Sequence, residues 1–180
     1  MSSLKSLGTL SLAVCVIVCL PSAASAQRPK VELGASLASI VVGLEDDDVT
    51  VFGVPTAGFG FLNPGVYTSF FIGDRLAVEP QVALLVLSGS GDTEHVINFV
   101  GQVNYFVFGL DRPSPYVFGA AGVIEFSGSG PTPKSYSVGA GYRIPAGDRL
   151  TFRFDGRYTH FTEEGGDLLA FSVALGGLFR

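Results

Sequence analysis

The sequence contains no tryptophan and one methionine, and its two cysteines, Cys15 and Cys19, both fall in the N-terminal apolar stretch. The rest of the chain therefore has no disulfide and no thiolate metal site. Charge is scarce at 15% of residues, and the lysines are only Lys5, Lys30 and Lys134. Eleven basic residues face 16 acidic ones, a net charge of −5. That balance lacks the basic patch that nucleic acid requires, so nucleic acid is not an expected partner. Beyond residue 26 no apolar run reaches the length of a membrane helix, which excludes a helical membrane protein. Zinc, phosphate-loop and dinucleotide signatures are missing too. The expectation is no cofactor, no bound metal and no enzymatic activity.

What is present begins with an export signal. Residues 1–26 carry Lys5, an apolar core from Leu10 to Leu20, and Ala24-Ser25-Ala26 before Gln27. This is the pattern of a cleaved signal peptide. One domain is expected over 27–180, with 10 basic against 16 acidic residues.

The clearest period is in Leu150 to His160. Thr151, Arg153, Asp155, Arg157 and Thr159 alternate with Leu150, Phe152, Phe154, Gly156 and Tyr158. A period of two is a strand with unlike faces. Seven further strands are read at about Val31–Val42, Gly65–Ile72, Leu76–Leu87, Val96–Phe108, Tyr116–Phe126, Ser135–Ile144 and from Leu169 to Phe179. The facing of 65–72 is ambiguous. In the first strand Glu32, Gly34, Ser36 and Ala38 share a face; in the fifth, Tyr116, Phe118 and Ile124 oppose Gly119, Ala121 and Glu125. Pro80 has no N–H for a ladder, so a bulge or irregularity is expected there. The connection 43–64 is long, and parts of it are candidates to extend the flanking strands.

The chain also repeats. Asp74-Arg75, Asp111-Arg112 and Asp148-Arg149 recur at a spacing of 37 residues. Each marks a tight turn before an odd-numbered strand, which gives an up-and-down meander with short turns at one end and longer loops at the other. Turn chemistry alone accounts for the Asp.

Three features decide which face is outside. The polar faces are mostly Gly, Ala, Ser, Thr, Asn and Gln, unlike a water-facing sheet. Their charges, Glu32, Glu79, Glu125 and Asp155 against Arg143, Arg153 and Arg157, suit a paired interior network. The opposite faces are large and apolar, with Tyr105, Tyr116, Tyr142, Phe152 and Phe179 near the short-turn ends, as in an interfacial aromatic girdle. Strands of about ten residues match the ~9–11 needed to cross hydrocarbon. The expected fold is all-β, an eight-stranded antiparallel up-and-down transmembrane β-barrel. A soluble lipocalin-like barrel with the faces reversed is the alternative.

The signal segment, the meander, the turn asymmetry and the closing strand Phe171-Ser-Val-Ala-Leu-Gly-Gly-Leu-Phe179 resemble the small outer-membrane barrels of Gram-negative bacteria, of the outer membrane protein A, X and W kind. The resemblance covers nearly all of 27–180. It implies an outer-membrane location, contact with membrane lipid and lipopolysaccharide, periplasmic Asp-Arg turns and four outside loops. It also implies a closing strand read by the barrel-assembly machinery, for which the family usually ends on an aromatic residue. Here Phe179 is penultimate and Arg180 follows. A monomer is expected.

The loops hold nine acids and no Lys or Arg: Glu45, Asp46, Asp47, Asp48, Asp92, Glu94, Glu163, Glu164 and Asp167. Converging at one rim, they would attract cations; a solvated, self-repelling rim is the plainer reading. His95 and His160 lie near loop ends. His160-Phe161-Thr162 beside Glu163 raises a hydroxyl nucleophile with a base and an acid, against an ordinary interfacial histidine. An eight-strand interior is just filled by side chains. The favoured function is a structural or surface-interaction barrel acting through its acidic loops. The alternatives are a narrow channel for small solutes or ions, and a soluble periplasmic barrel with an apolar ligand.

Overall fold

The computed structural model describes residues 31–44, 50–53, 65–88, 93–127, 132–162 and 166–179. The expected signal segment 1–26 lies outside them. They form nine strands: β1 Val31–Gly43, β2 Thr50–Gly53, β3 Val66–Ile72, β4 Leu76–Ser88, β5 Thr93–Phe106, β6 Ser114–Phe126, β7 Lys134–Ala146, β8 Leu150–Phe161 and β9 Asp167–Phe179. Each pairs antiparallel with its neighbour from β3 to β9, and β1 pairs with β9 from Val31↔Phe179 to Gly43↔Leu168. The sheet is thus closed through β1–β9 and β1–β3, while among the described strands β2 pairs with β1 alone.

The other side of β1 is shared. β3 pairs with Val31–Ala35 and β2 with Ser39–Val42. The two short strands occupy one place in the ring, so nine strands make an eight-place barrel. The expected second strand stands whole as β3, and β2 is a piece of the long connection 43–64 that pairs with β1. Where the partner changes, β1 carries a bulge. Its register with β9 slips between Ser36 and Ala38, leaving Leu37 extra. Because side chains alternate strictly, one extra residue reverses the facing beyond it. Glu32 and Gly34 point inward; past Leu37 the inward residues are Ser39 and Val41, and Ala38 joins the outward row opposite Val173. This corrects the single face expected for Glu32, Gly34, Ser36 and Ala38.

Pro80 causes no bulge. It stays in register opposite Gly101, while the β3–β4 ladder skips from Tyr67↔Gln81 to Phe70↔Val78 without a slip. A missing N–H interrupts pairing on that side only.

The hairpins 73–75 and 147–149 are three-residue Gly-Asp-Arg turns opened by glycines at φ 69° and 72°. The Asp111-Arg112 pair sits in a longer connection, 107–113, with Gly109 at φ 89°. All three Asp-Arg pairs lie at the same end of the barrel, here called the short-turn end. Outward positions carry large apolar side chains, among them Phe99, Val117, Val138 and Phe154. On β8 the outward apolar run from Leu150 to Tyr158 covers eight strand rises. With a tilt of ~35–45° this is roughly 20 Å of height, of the order of the apolar band of a membrane barrel.

Candidate functional site: the barrel interior and its outer rim

The interior is built in layers. Near the short-turn end Ala77, Phe106, Leu110, Tyr116 and Phe118 form an apolar cluster, with Phe71 against it. The rings of Phe106 and Tyr116 are 5.1 Å apart. Arg143 lies over Phe71 and Phe106, donates from Nη1 to the Leu110 carbonyl at 2.8 Å, and from Nε to Glu32 Oε2 at 2.9 Å. The Tyr67 hydroxyl donates to the other Glu32 oxygen at 2.9 Å.

The next layer centres on Glu79, which is fully buried. It accepts from Arg153 Nη1 at 2.6 Å, Gln81 Nε2 at 2.6 Å, Asn104 Nδ2 at 3.1 Å and the Ser69 hydroxyl. Arg153 also donates from Nε to the Tyr116 hydroxyl at 3.0 Å. Its guanidinium lies 4.5 Å from the Tyr67 ring centre and 5.1 Å from that of Tyr116. Above it, Arg157 Nη2 donates to Gln81 Oε1 at 2.8 Å and Gln102 Oε1 at 2.5 Å, and stacks over Phe118. Asp155 Oδ1 lies 3.9 Å from Arg153 Nη2. Every strand place except that of β9 contributes a side chain to these contacts. β9 presents Ala170, Ser172, Ala174 and Gly176 inward, which leaves room for the long side chains opposite.

Glycines seat the rings. A Cβ on Gly34 or Gly176 would meet Tyr67, one on Gly139 would meet Phe118, and one on Gly141 would meet Tyr116 at 2.5 Å. Side-chain volume removed from one strand is taken up by an aromatic ring from another.

Of the seven charged residues expected inside, Glu32, Glu79, Arg143, Arg153, Asp155 and Arg157 point into the barrel, and Glu125 does not. Glu125 is exposed on the outward face of β6. Tyr116, Phe118 and Ile124 are the inward side of that strand, all buried, so Tyr116 is not part of the girdle. The reversal has a physical reason: Tyr116 and Phe118 cover the arginines by cation–π contact, and Glu125 reaches solvent beyond the apolar band. Three acids and three arginines then occupy the interior among the described residues. Tyr105, Tyr142 and Phe152 are outward and exposed, and Phe179 is half-buried.

Sequence reasoning missed the inward aromatics and the amide shell of Glu79. Gly139 and Gly141 on one strand, spaced by two, were the available sign that rings arrive from elsewhere.

At the long-loop end, Glu45, Asp46, Asp47, Asp48, Asp92, Glu163 and Glu164 lie outside the described residues. Glu94 falls within β5 opposite Leu87. Asp167 faces His160 across the β8–β9 ladder, with His160 Nδ1 2.7 Å from Asp167 Oδ1. The Thr162 hydroxyl donates to the Lys134 carbonyl at 3.3 Å, and among the described residues the partner of His160 is Asp167. His95 lies at the end of β5, its backbone N–H donating to Ser127 Oγ at 2.7 Å.

No protein-family model matches the sequence, and no curated protein matches it. Solved structures do. Neisserial surface protein A is similar over 83% of this chain and 97% of its own, at 11% identity and a TM-score of 0.61. The N-terminal β-barrel domain of Pseudomonas aeruginosa OprF is similar over 85% of this chain and 100% of its own, at 14% identity and a TM-score of 0.53. The fold is that of the small outer-membrane β-barrels. At these identities the likeness is one of architecture alone, that of a β-barrel.

Proposed function

We propose that the chain is an integral outer-membrane β-barrel, exported by residues 1–26, with a closed interior that makes it a rigid scaffold for its acidic outer loops. In this orientation the Asp-Arg turns are periplasmic. Lipid and lipopolysaccharide surround the wall, and the β9 strand ending at Phe179 is the segment offered to the assembly machinery.

The observation that carries the reading is the combination of an interior cross-braced by buried ion pairs with an apolar exterior. Arg143, Arg153, Glu32 and Glu79 are almost wholly buried, while Val138, Phe99 and Val117 are more than half exposed. In water this would be inside out. In a membrane it is the stable arrangement. A plugged interior is favoured over a channel because the buried arginines and the Phe71–Phe106–Tyr116 layer fill the cross-section. The same exterior disfavours a soluble ligand-binding barrel.

Two measurements test this. Salt-washed membranes are run on a gel with and without boiling. The folded protein is expected in the membrane fraction, with a mobility that changes on boiling; a soluble, detergent-independent protein defeats the reading. Planar-bilayer recordings are expected to be silent. Stable steps of conductance that vanish in Arg153→Gln would establish the channel instead.

A further inference from the structure

We propose that the outward face of β7, β8 and β9, together with β1, seats one phosphorylated lipid of the outer leaflet. Its phosphate lies at Lys134 and His160 and an acyl chain lies in a groove below them. The proposal rests on the membrane-spanning reading above.

The groove is a dent of 610 Å³ in the apolar wall. Its floor is Ala38, Ala140 and Gly156, and its sides are Tyr142, Phe154 and Phe171. These residues form two adjacent outward rows: Ala140 faces Gly156, which faces Phe171; Tyr142 faces Phe154, in line with Val173 and Ala38. The dent exists because Gly156 and Ala140 contribute almost no side chain where neighbouring rows carry rings. The Phe171 ring comes to 3.4 Å from where a Gly156 Cβ would stand.

Toward the long-loop end the same strands change character. Above Ala140 on β7 come Val138, Tyr136 and Lys134; above Gly156 on β8 come Tyr158 and His160. Tyr136, His160 and Asp167 form one cross-strand row. Asp167 holds Nδ1 of His160 at 2.7 Å. The imidazole is thereby fixed, with Nε2 left to meet a ligand. Thr162 ties down the next position: its N–H donates to the Lys134 carbonyl at 3.0 Å. Among the described residues Lys134 is the only lysine or arginine on the outward wall at this end.

An ammonium and the Tyr136 phenol at the edge of an apolar band are donors suited to a phosphate, and the imidazolium form of His160 adds a third from Nε2. Gly156 and His160 are four residues apart on one strand, ~13 Å, within reach of an acyl chain hung from a headgroup held at His160. A soluble anion would use only the cluster, and a plain hydrocarbon only the groove. A phosphorylated lipid uses both.

The test is native mass spectrometry of the detergent-extracted full chain with lipid A, with dephosphorylated lipid A, and with inorganic phosphate as competitor. Retention of one lipid A is expected, undisturbed by inorganic phosphate. Retention should be about tenfold weaker for dephosphorylated lipid A, for Lys134→Gln and for Ala140→Phe, which fills the groove from outside. Boiled and unboiled gels establish that each variant is folded. Equal retention of the two lipids, or folded variants that both retain lipid A as the wild type does, overturns the seat. Displacement by inorganic phosphate reduces it to an anion site and overturns it too. If the protein is absent from membranes, the membrane reading fails; if it is membrane-bound but unselective, only the seat fails.

Discussion

Arg153 on β8 and Glu79 on β4 meet at 2.6 Å across the barrel, between strands on opposite sides of an eight-place ring. The contact braces the diameter and brings together residues 74 positions apart in sequence. Neither group reaches solvent, so each depends on the other.

Removing one partner should cost more than removing both. Arg153→Met leaves Glu79 as an uncompensated buried carboxylate, with an expected loss of about 3–5 kcal/mol. The double variant Glu79→Gln/Arg153→Met should recover more than half of it. Urea midpoints in lipid vesicles read the difference. Single variants within about 1 kcal/mol of wild type would show that the brace carries little.

Gly34 and Tyr67 should be coupled. A Gly34 Cβ would stand against the Tyr67 ring, so Gly34→Ala is expected to destabilise by about 1–3 kcal/mol. In a Tyr67→Ala background the same change should be nearly silent. A double-mutant cycle measures the non-additivity; strictly additive effects would contradict the ring-on-glycine contact.

The two exposed-or-buried alternatives for glutamate give a direct contrast. Glu125→Gln should leave stability within about 0.5 kcal/mol of wild type, because Glu125 is outside the braced interior. Glu79→Gln strips Arg153 of its counter-charge and should cost several-fold more. Equal losses would place Glu125 back among the interior charges.

The turns should show a backbone effect without a packing effect. Gly147→Ala meets no atom within 4 Å but must hold φ at 72°, with an expected cost of about 1–2 kcal/mol. Gly119→Ala also meets no atom and carries no such angle, so it should be neutral. The temperature at which the unboiled gel band converts to the boiled one separates them.

Where two faces of a strand differed chemically, the sequence already told inside from outside. β8 alternates Arg, Asp and Arg with Phe and Tyr, and its facing was legible without coordinates. β6 sets Tyr116, Phe118 and Ile124 against Gly119, Ala121 and Glu125, and its one charge points the alternation the wrong way; the arginines from β8, lying over Tyr116 and Phe118, decide which face is covered. The β1 bulge was hidden because inserting Leu37 among Ala and Ser breaks no visible rule. The His160–Asp167 pair depends on β8–β9 register, which local sequence does not specify.

The first and last strands pair along twelve matched positions, beginning with Val31 opposite Phe179. The ring is therefore completed by the two most distant parts of the described chain. Until β9 arrives, β1 and β8 each keep an open hydrogen-bonding row that no earlier hairpin satisfies. Local hairpins such as β7–β8 form on a microsecond scale, whereas a closure of such long range must overcome a large loop entropy first. The timing of folding is thus set at a single seam, and a partner that holds β9 ready shortens the interval in which two adhesive edges stand exposed.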